Sequence, residues 1–196
     1  MKTIDGVLPP QTKVSKKLFK AIVAALIVAG ATAGGVGGYQ RSAWPHWVDA
    51  DHDCQDTRQE VLIRDAKEYV LSPDGCTVVS GVWLDPYTNT TFTNPKELDV
   101  DHLVPLKNAY KSGGNTWDRE TRKQYANYLA NNYHLIAVSA SENRKKGEKG
   151  PEGYMPPNEG IRCLYVQLWA LVKDEWKLSV TAIEFDAIKT ACPQEQ

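Results

Sequence analysis

Along this 196-residue chain the spacing of apolar and polar residues changes period several times, and each change predicts an element. In 57–69, Val61, Leu62, Ala66 and Tyr69 fall on one helical face, and Thr57-Arg58-Gln59-Glu60 reads as a capping box. Ser72-Pro73-Asp74-Gly75 is a turn. The β-branched stretch 76–84 reads as a strand, followed by a turn at 85–89 and a short strand at 91–93. Residues 98–104 alternate as a half-buried strand does, with Asp99, Asp101 and Leu103 on one face and Val100, His102 and Val104 on the other. A short helix or loop (105–114), a helix (118–129) and a short strand (135–138) come next. Ser139 or Ser141 then caps a helix carrying Asn143 and Lys146. A Pro/Gly-rich loop (147–160) leads to an amphipathic helix (161–176) and a final one (179–191). This succession predicts an α+β fold in a single domain, residues 54–196, behind a lead segment, 34–53.

Composition refines that picture. A 42% apolar share and six Trp are enough for a packed core and exclude global disorder. The formal charge of −1 provides no broad basic field, so any nucleic-acid contact must be local. Lys13, Lys16, Lys17 and Lys20 precede an apolar run and Ala31-Thr32-Ala33, the three parts of a secretory signal in residues 1–33. Cleavage after Ala33 would remove five Lys and one Asp and leave a mature chain of formal charge −5. The alternative is an uncleaved signal anchor, the chain's single expected tie to a membrane. Gly34, Gly35, Gly37 and Gly38 argue against a full spanning helix of about 20 residues. Either way the domain faces an oxidising space, secreted or extracytoplasmic. Four cysteines without a C-x-x-C pair suit two disulfides better than a zinc knuckle. Of three possible connectivities, Cys54–Cys76 and Cys163–Cys192 join neighbours in sequence.

The candidate chemistry centres on Asp101-His102, at the end of a predicted strand, and on Asn143 downstream. Asp and Asn offer hard oxygens to a divalent cation, and an imidazole can take a proton from water. Strand alternation points Asp101 and His102 to opposite faces, so a bend near Pro105 or different heights at the strand end must bring both to one site.

An ordered set of motifs surrounds these residues: Cys54-x-x-Thr57-Arg58, Gly81-x-Trp83-x-Asp85-Pro86-Tyr87, Asp101-His102-x-Val104-Pro105-Leu106, Ala109-Tyr110-x-Ser112-Gly113, Asn143-Arg144-x-Lys146-Gly147 and Tyr154-Met155-Pro156-Pro157. Together they resemble the HNH, or ββα-metal, endonucleases, and more narrowly the secreted HNH nucleases. The resemblance implies a ββα-metal hairpin–helix core within a mostly helical, disulfide-stapled domain. It implies His102 as general base, Asp101 and Asn143 as ligands of Mg²⁺ or Mn²⁺, and DNA, with RNA as an alternative, as substrate of a monomer with low sequence preference. Arg144, Lys145 and Lys146 are the local candidates for phosphate contact, with Lys107 and Lys149 weaker ones. The chain departs from the family where Asn131-Asn132-Tyr133-His134 places His134 in the slot usually held by Asn. There it would buttress the hairpin and help orient the base, or act as a further ligand; Asn131 or Asn132 could take the buttress role instead.

Plainer readings compete with these. Asp101-His102 alone would be a surface ion pair, and Arg144-Lys145-Lys146 a solvated face. His52 with Asp49, Asp51 and Asp53 reads as a solvated acidic loop in preference to a second metal site. A binding module that kept the fold without activity is the main rival. A phosphatase or peptidase is disfavoured because no H-E-x-x-H or G-x-S-x-G occurs.

Overall fold

The computed structural model describes residues 38–192 and, in the N-terminal segment, residues 14, 15, 17, 19, 21 and 22. Most of the expected signal, Ala31-Thr32-Ala33 included, lies outside the described residues. Val14, Phe19 and Ile22 are buried and join the core. Among the described residues no helix is long and apolar enough to cross a membrane.

Mixed α and β elements form the domain, with six α-helices over residues 57–191, two small antiparallel sheets and two disulfides among the described residues. Helix α1 is Thr57–Asp65, followed by β1 (Glu68–Leu71), β2 (Val78–Asp85), β3 (Thr90–Phe92) and β4 (Leu98–His102). Then come α2 (Leu106–Lys111), α3 (Arg119–Ala126), β5 (Leu135–Ser139), α4 (Ala140–Lys146), α5 (Arg162–Glu175) and α6 (Ala182–Ala191). Strands β1, β2 and β3 make one antiparallel sheet in that order, and β4 pairs with β5 in another. The second register sets Asp101 opposite Ile136 and His102 opposite Leu135. Cysteines pair as Cys54–Cys76 and Cys163–Cys192.

Two apolar clusters frame the β4–β5 hairpin. Val61, Leu62, Val78, Trp83, Leu98, Val100, Leu135 and Ala137 pack α1 and β2 against one side of it. Trp44, Tyr87, Leu103, Tyr125, Tyr165, Trp169 and Ile188 belong to a larger cluster involving the helices. The Gly81-x-Trp83 motif has a packing reason: a Cβ at Gly81 would lie 2.7 Å from the Glu68 carbonyl and collide with the Trp83 ring.

Several boundaries differ from the sequence expectation, three of them with a clear local cause. Helix α1 stops at Asp65, because Ala66 is extended and the Lys67 N–H pairs with the Val82 carbonyl, opening β1. Its cap is Asp56, whose carboxylate accepts the Gln59 N–H; Gln59 itself reaches the Val78 N–H, so no capping box forms there. A capping box does form at α6, between Thr181 and Glu184. Helix α3 ends at Ala126, where the Asn127 amide donates to the Lys123 and Pro45 carbonyls.

Candidate functional site

Helix α4 starts where β5 ends. The Ser139 hydroxyl accepts the Glu142 N–H, and three basic residues fill the last turn, where the helix dipole favours them. Gly147, at φ 56°, ends the helix in a conformation that favours glycine. The helix packs on the face of β4 that carries Asp99 and Asp101, so Asn143 and Lys146, three apart and on one helical face, point at those carboxylates.

Asp101 is 3% exposed. Lys146 Nζ donates to both its oxygens, at 2.7 and 2.9 Å, and to the His102 carbonyl at 2.8 Å. The Tyr87 hydroxyl donates to Oδ2 at 2.7 Å. Burial pushes the Asp101 carboxyl up and the Lys146 ammonium down, and their contact opposes both shifts. The expectation that Lys146 meets a substrate phosphate is corrected here: its side chain is 0% exposed and spends its donors inside the protein.

Asn143 donates through Nδ2 to Asp99 Oδ2 at 3.2 Å, and among the described residues no hydrogen bond occupies its carbonyl oxygen. Arg144 lies 3.5 Å from the same carboxylate, while Lys145 pairs with Glu142; both cations are largely exposed. Asp99, Asp101 and Asn143 thus form a set of hard oxygens, the donor type that suits Mg²⁺ or Mn²⁺ keeping several of its waters, although both Asp101 oxygens are already bonded by Lys146. Asp99 and Asn143 are the accessible part of it, and Asp101 is the buried part.

His102 leaves the other face of β4, as the alternation required, and no bend turns it toward Asp101. Its ring stacks on Trp47 (centroids 5.6 Å apart) and lies parallel to Tyr125 (6.5 Å). Its Nε2 is 2.9 Å from the Ala126 carbonyl. A carbonyl can only accept, so Nε2 carries the proton and Nδ1 holds the lone pair. No hydrogen bond among the described residues occupies Nδ1. Burial, and then neighbouring His134, push the imidazole pKa well below its usual value, so the ring is neutral at pH 7.

His134 repeats the arrangement. Its Nε2 is 2.8 Å from the Tyr125 carbonyl, and burial lowers its pKa to about 3. Both accepting carbonyls belong to the last turn of α3, where no intrahelical N–H is left for them. His134 therefore braces the backbone that holds His102, and is itself 1% exposed. Asn131 shapes the loop by accepting the His134 and Tyr133 N–H groups.

Beside these residues lies a cleft of about 330 Å³ whose lining includes Arg41, Lys107, Asn143 and Arg144; Asp101 and His102 are not part of it. The acidic loop stands apart: Asp49, Asp51 and Asp53 hold one oxygen each within 4.8 Å of one another, with Asp51 and Asp53 exposed. Sequence reasoning missed Tyr87, Trp47 and Arg41. Tyr87 had a signal, since it closes the Gly81-x-Trp83-x-Asp85-Pro86-Tyr87 motif; Trp47 and Arg41 had none beyond their position in the lead segment.

Residues 56–189 match the family model of the C-terminal domain of GmrSD restriction endonucleases. The chain belongs to this HNH-type nuclease family. An uncharacterized secreted protein of Arthroderma benhamiae is 41% identical over 152 residues, spanning 77% of this chain and 72% of that protein. No solved structure matches the chain. As a GmrSD-type domain the chain is a nuclease-type protein. Its family match begins beyond Trp47 and Arg41, so the lead segment that walls His102 lies outside the matched region.

Proposed function

We propose that this GmrSD-type domain is a metal-dependent endonuclease that hydrolyses phosphodiester bonds of DNA, with RNA as a weaker alternative, and acts outside the cytoplasm as a monomer of low sequence specificity. In this reading β4, β5 and α4 are a ββα-metal core. The observation that carries it is the imidazole of His102, held neutral with its proton on Nε2 and its Nδ1 lone pair free. Such a group takes a proton from water as the oxygen attacks phosphorus. Ala126 orients it, His134 fixes the carbonyls behind it, and Trp47 and Tyr125 shield its faces from water. Asn143 and Asp99 present the accessible oxygens that would hold the cation, and Asp101 would join them only if Lys146 yields one of its oxygens; the bound cation would neutralise charge on the phosphate and its leaving oxygen. Arg144 and Lys145, largely exposed though paired with Asp99 and Glu142, would turn to flanking phosphates when DNA binds. In-line attack with departure of the 3′ oxygen leaves a 5′-phosphate. The secreted relative and the two disulfides support an extracellular setting.

Incubation of supercoiled plasmid with the disulfide-intact protein and Mg²⁺ or Mn²⁺ tests this. Nicking and linearisation are expected, abolished by EDTA and by His102→Ala. Absence of cleavage with either ion would favour the inactive binding module, and cleavage surviving His102→Ala would remove the base from its role.

A further inference from the structure

The lead segment is anchored into the domain, and it brings a cation to the cleft. Trp44, 1% exposed, sits in the larger core cluster, and its N–H bonds to the Arg41 carbonyl at 3.0 Å across a single 3₁₀ turn. Asn127 grips the next residues from both sides, donating to the Pro45 carbonyl at 2.8 Å and accepting the Val48 N–H at 3.0 Å. Arg41 is therefore placed on a fixed stretch of backbone, and it lines the cleft with Tyr39, facing Lys107, Asn143, Arg144 and Glu148.

The charges in this cleft are unevenly satisfied. Glu148 forms ion pairs with Lys107 and, at 3.3 Å, with Lys111. Asp99 takes Arg144. Arg41 has only His46 Nε2, at 3.4 Å, and the neighbouring Tyr39 hydroxyl. No carboxylate lies within ion-pair distance of it among the described residues. An exposed guanidinium without an anion, opposite the Asn143 of the proposed catalytic centre, is suited to bidentate contact with a phosphate. Glu148 places a carboxylate among the opposing lysines, where a second backbone phosphate would lie.

We propose that Arg41 binds a backbone phosphate of the DNA next to the scissile one, and that Glu148 holds Lys107 and Lys111 as an anionic placeholder which the DNA backbone displaces. This rests on the nuclease reading above. It extends the substrate site beyond the matched family region and makes residues 39–48 part of the working enzyme. It also explains how a chain without a basic surplus binds a polyanion, through one unneutralised guanidinium and two lysines released on binding.

The test measures binding of a labelled DNA duplex by the full chain carrying His102→Ala, by fluorescence anisotropy over a range of KCl concentrations. Arg41→Gln is expected to weaken binding roughly tenfold and to flatten the salt dependence by about one unit of slope, as loss of a single phosphate contact does. Glu148→Gln is expected to tighten binding several-fold. Lys189→Gln, a one-charge change on α6 away from the cleft lining, gives the background. In the active enzyme Arg41→Gln raises KM and leaves kcat near its normal value. Arg41→Gln indistinguishable from Lys189→Gln overturns the phosphate contact while plasmid cleavage keeps the nuclease reading. Unchanged or weaker binding by Glu148→Gln overturns the placeholder. A wild-type chain that neither binds nor cuts DNA removes the nuclease reading and this inference with it.

Discussion

Replacing Lys146 by Met removes the cation from a buried pair while leaving most of its volume in place. Lys146 Nζ makes three short contacts, to both Asp101 oxygens and to the His102 carbonyl, and the two side chains are 0% and 4% exposed. Met fills the channel of the aliphatic stem, so the cost is chiefly electrostatic: a carboxylate stays buried with the Tyr87 hydroxyl as its remaining side-chain donor. Breaking a buried pair from one side costs about 3–5 kcal/mol, and the surviving hydrogen bond favours the lower end. In a domain of this size each kcal/mol moves Tm by about 2–4 °C, so a fall of about 6–12 °C is expected. The deficit depends on pH. Burial already raises the Asp101 pKa, and losing the ammonium raises it further. A folded pKa above the unfolded one adds stability below the unfolded pKa and loses it as pH rises through the folded pKa. Relative to wild type, the variant therefore recovers on acidification, and Asp101→Asn in the same background restores much of the loss at neutral pH. Thermal unfolding followed by circular dichroism at pH 7.5 and 5 measures both effects. A loss under about 1 kcal/mol, or a deficit that does not change with pH, would show that Asp101 does not depend on Lys146 for its burial.

Other expectations bear on the same architecture. His134→Ala frees the Tyr125 carbonyl and shifts the backbone that holds His102, so kcat falls by about 10–100-fold with KM little changed, whereas His134→Asn, which keeps an N–H, retains more; steady-state kinetics on plasmid separates the two. The buried imidazoles of His102 and His134 resist protonation in the fold but accept it near pH 6.5 when unfolded. Stability is therefore full above that pH and drains by about 1.4 kcal/mol per pH unit for each of them as the pH falls below it. Urea unfolding from pH 7 to 4 checks this, and a flat profile would contradict the burial. Reduction of the disulfides, which span 22 and 29 residues, costs about 3–4 kcal/mol each on the loop-entropy account, read as a lower urea midpoint in reductant.

The parts of the site that were legible in the sequence are those encoded locally. Alternation over 98–104 placed β4 and assigned Asp101 and His102 to opposite faces, and a serine before a helical stretch placed α4. Closeness in sequence sufficed to pair the cysteines. Strand β1 escaped because Tyr69 and Val70 are exposed edge residues that mimic the apolar stripe of the preceding helix. Lys146 was misread because a lysine in a basic run normally faces water; the clue was its place three residues after Asn143, on the face turned toward two carboxylates. The wall formed by Trp47 and the carbonyls of Tyr125 and Ala126 depends on contacts between segments far apart in sequence and on where α3 happens to stop. No local pattern encodes either.

That stopping point bears on how the domain can vary. If α3 ran one turn further, N–H groups of the following residues would claim the Tyr125 and Ala126 carbonyls, and the two imidazoles would be released to rotate and to exchange tautomers. The residues just after Ala126 are therefore a poor place for an insertion that favours helix, even though Tyr128, Leu129 and Ala130 are not themselves among the proposed site residues. Length changes are better tolerated before Asp118 or in the long loop after Gly147. The junction at Asn127 behaves as a fixed punctuation mark, and moving it by a single turn would unseat His102, the base of the proposed reaction, without altering any residue of the proposed site.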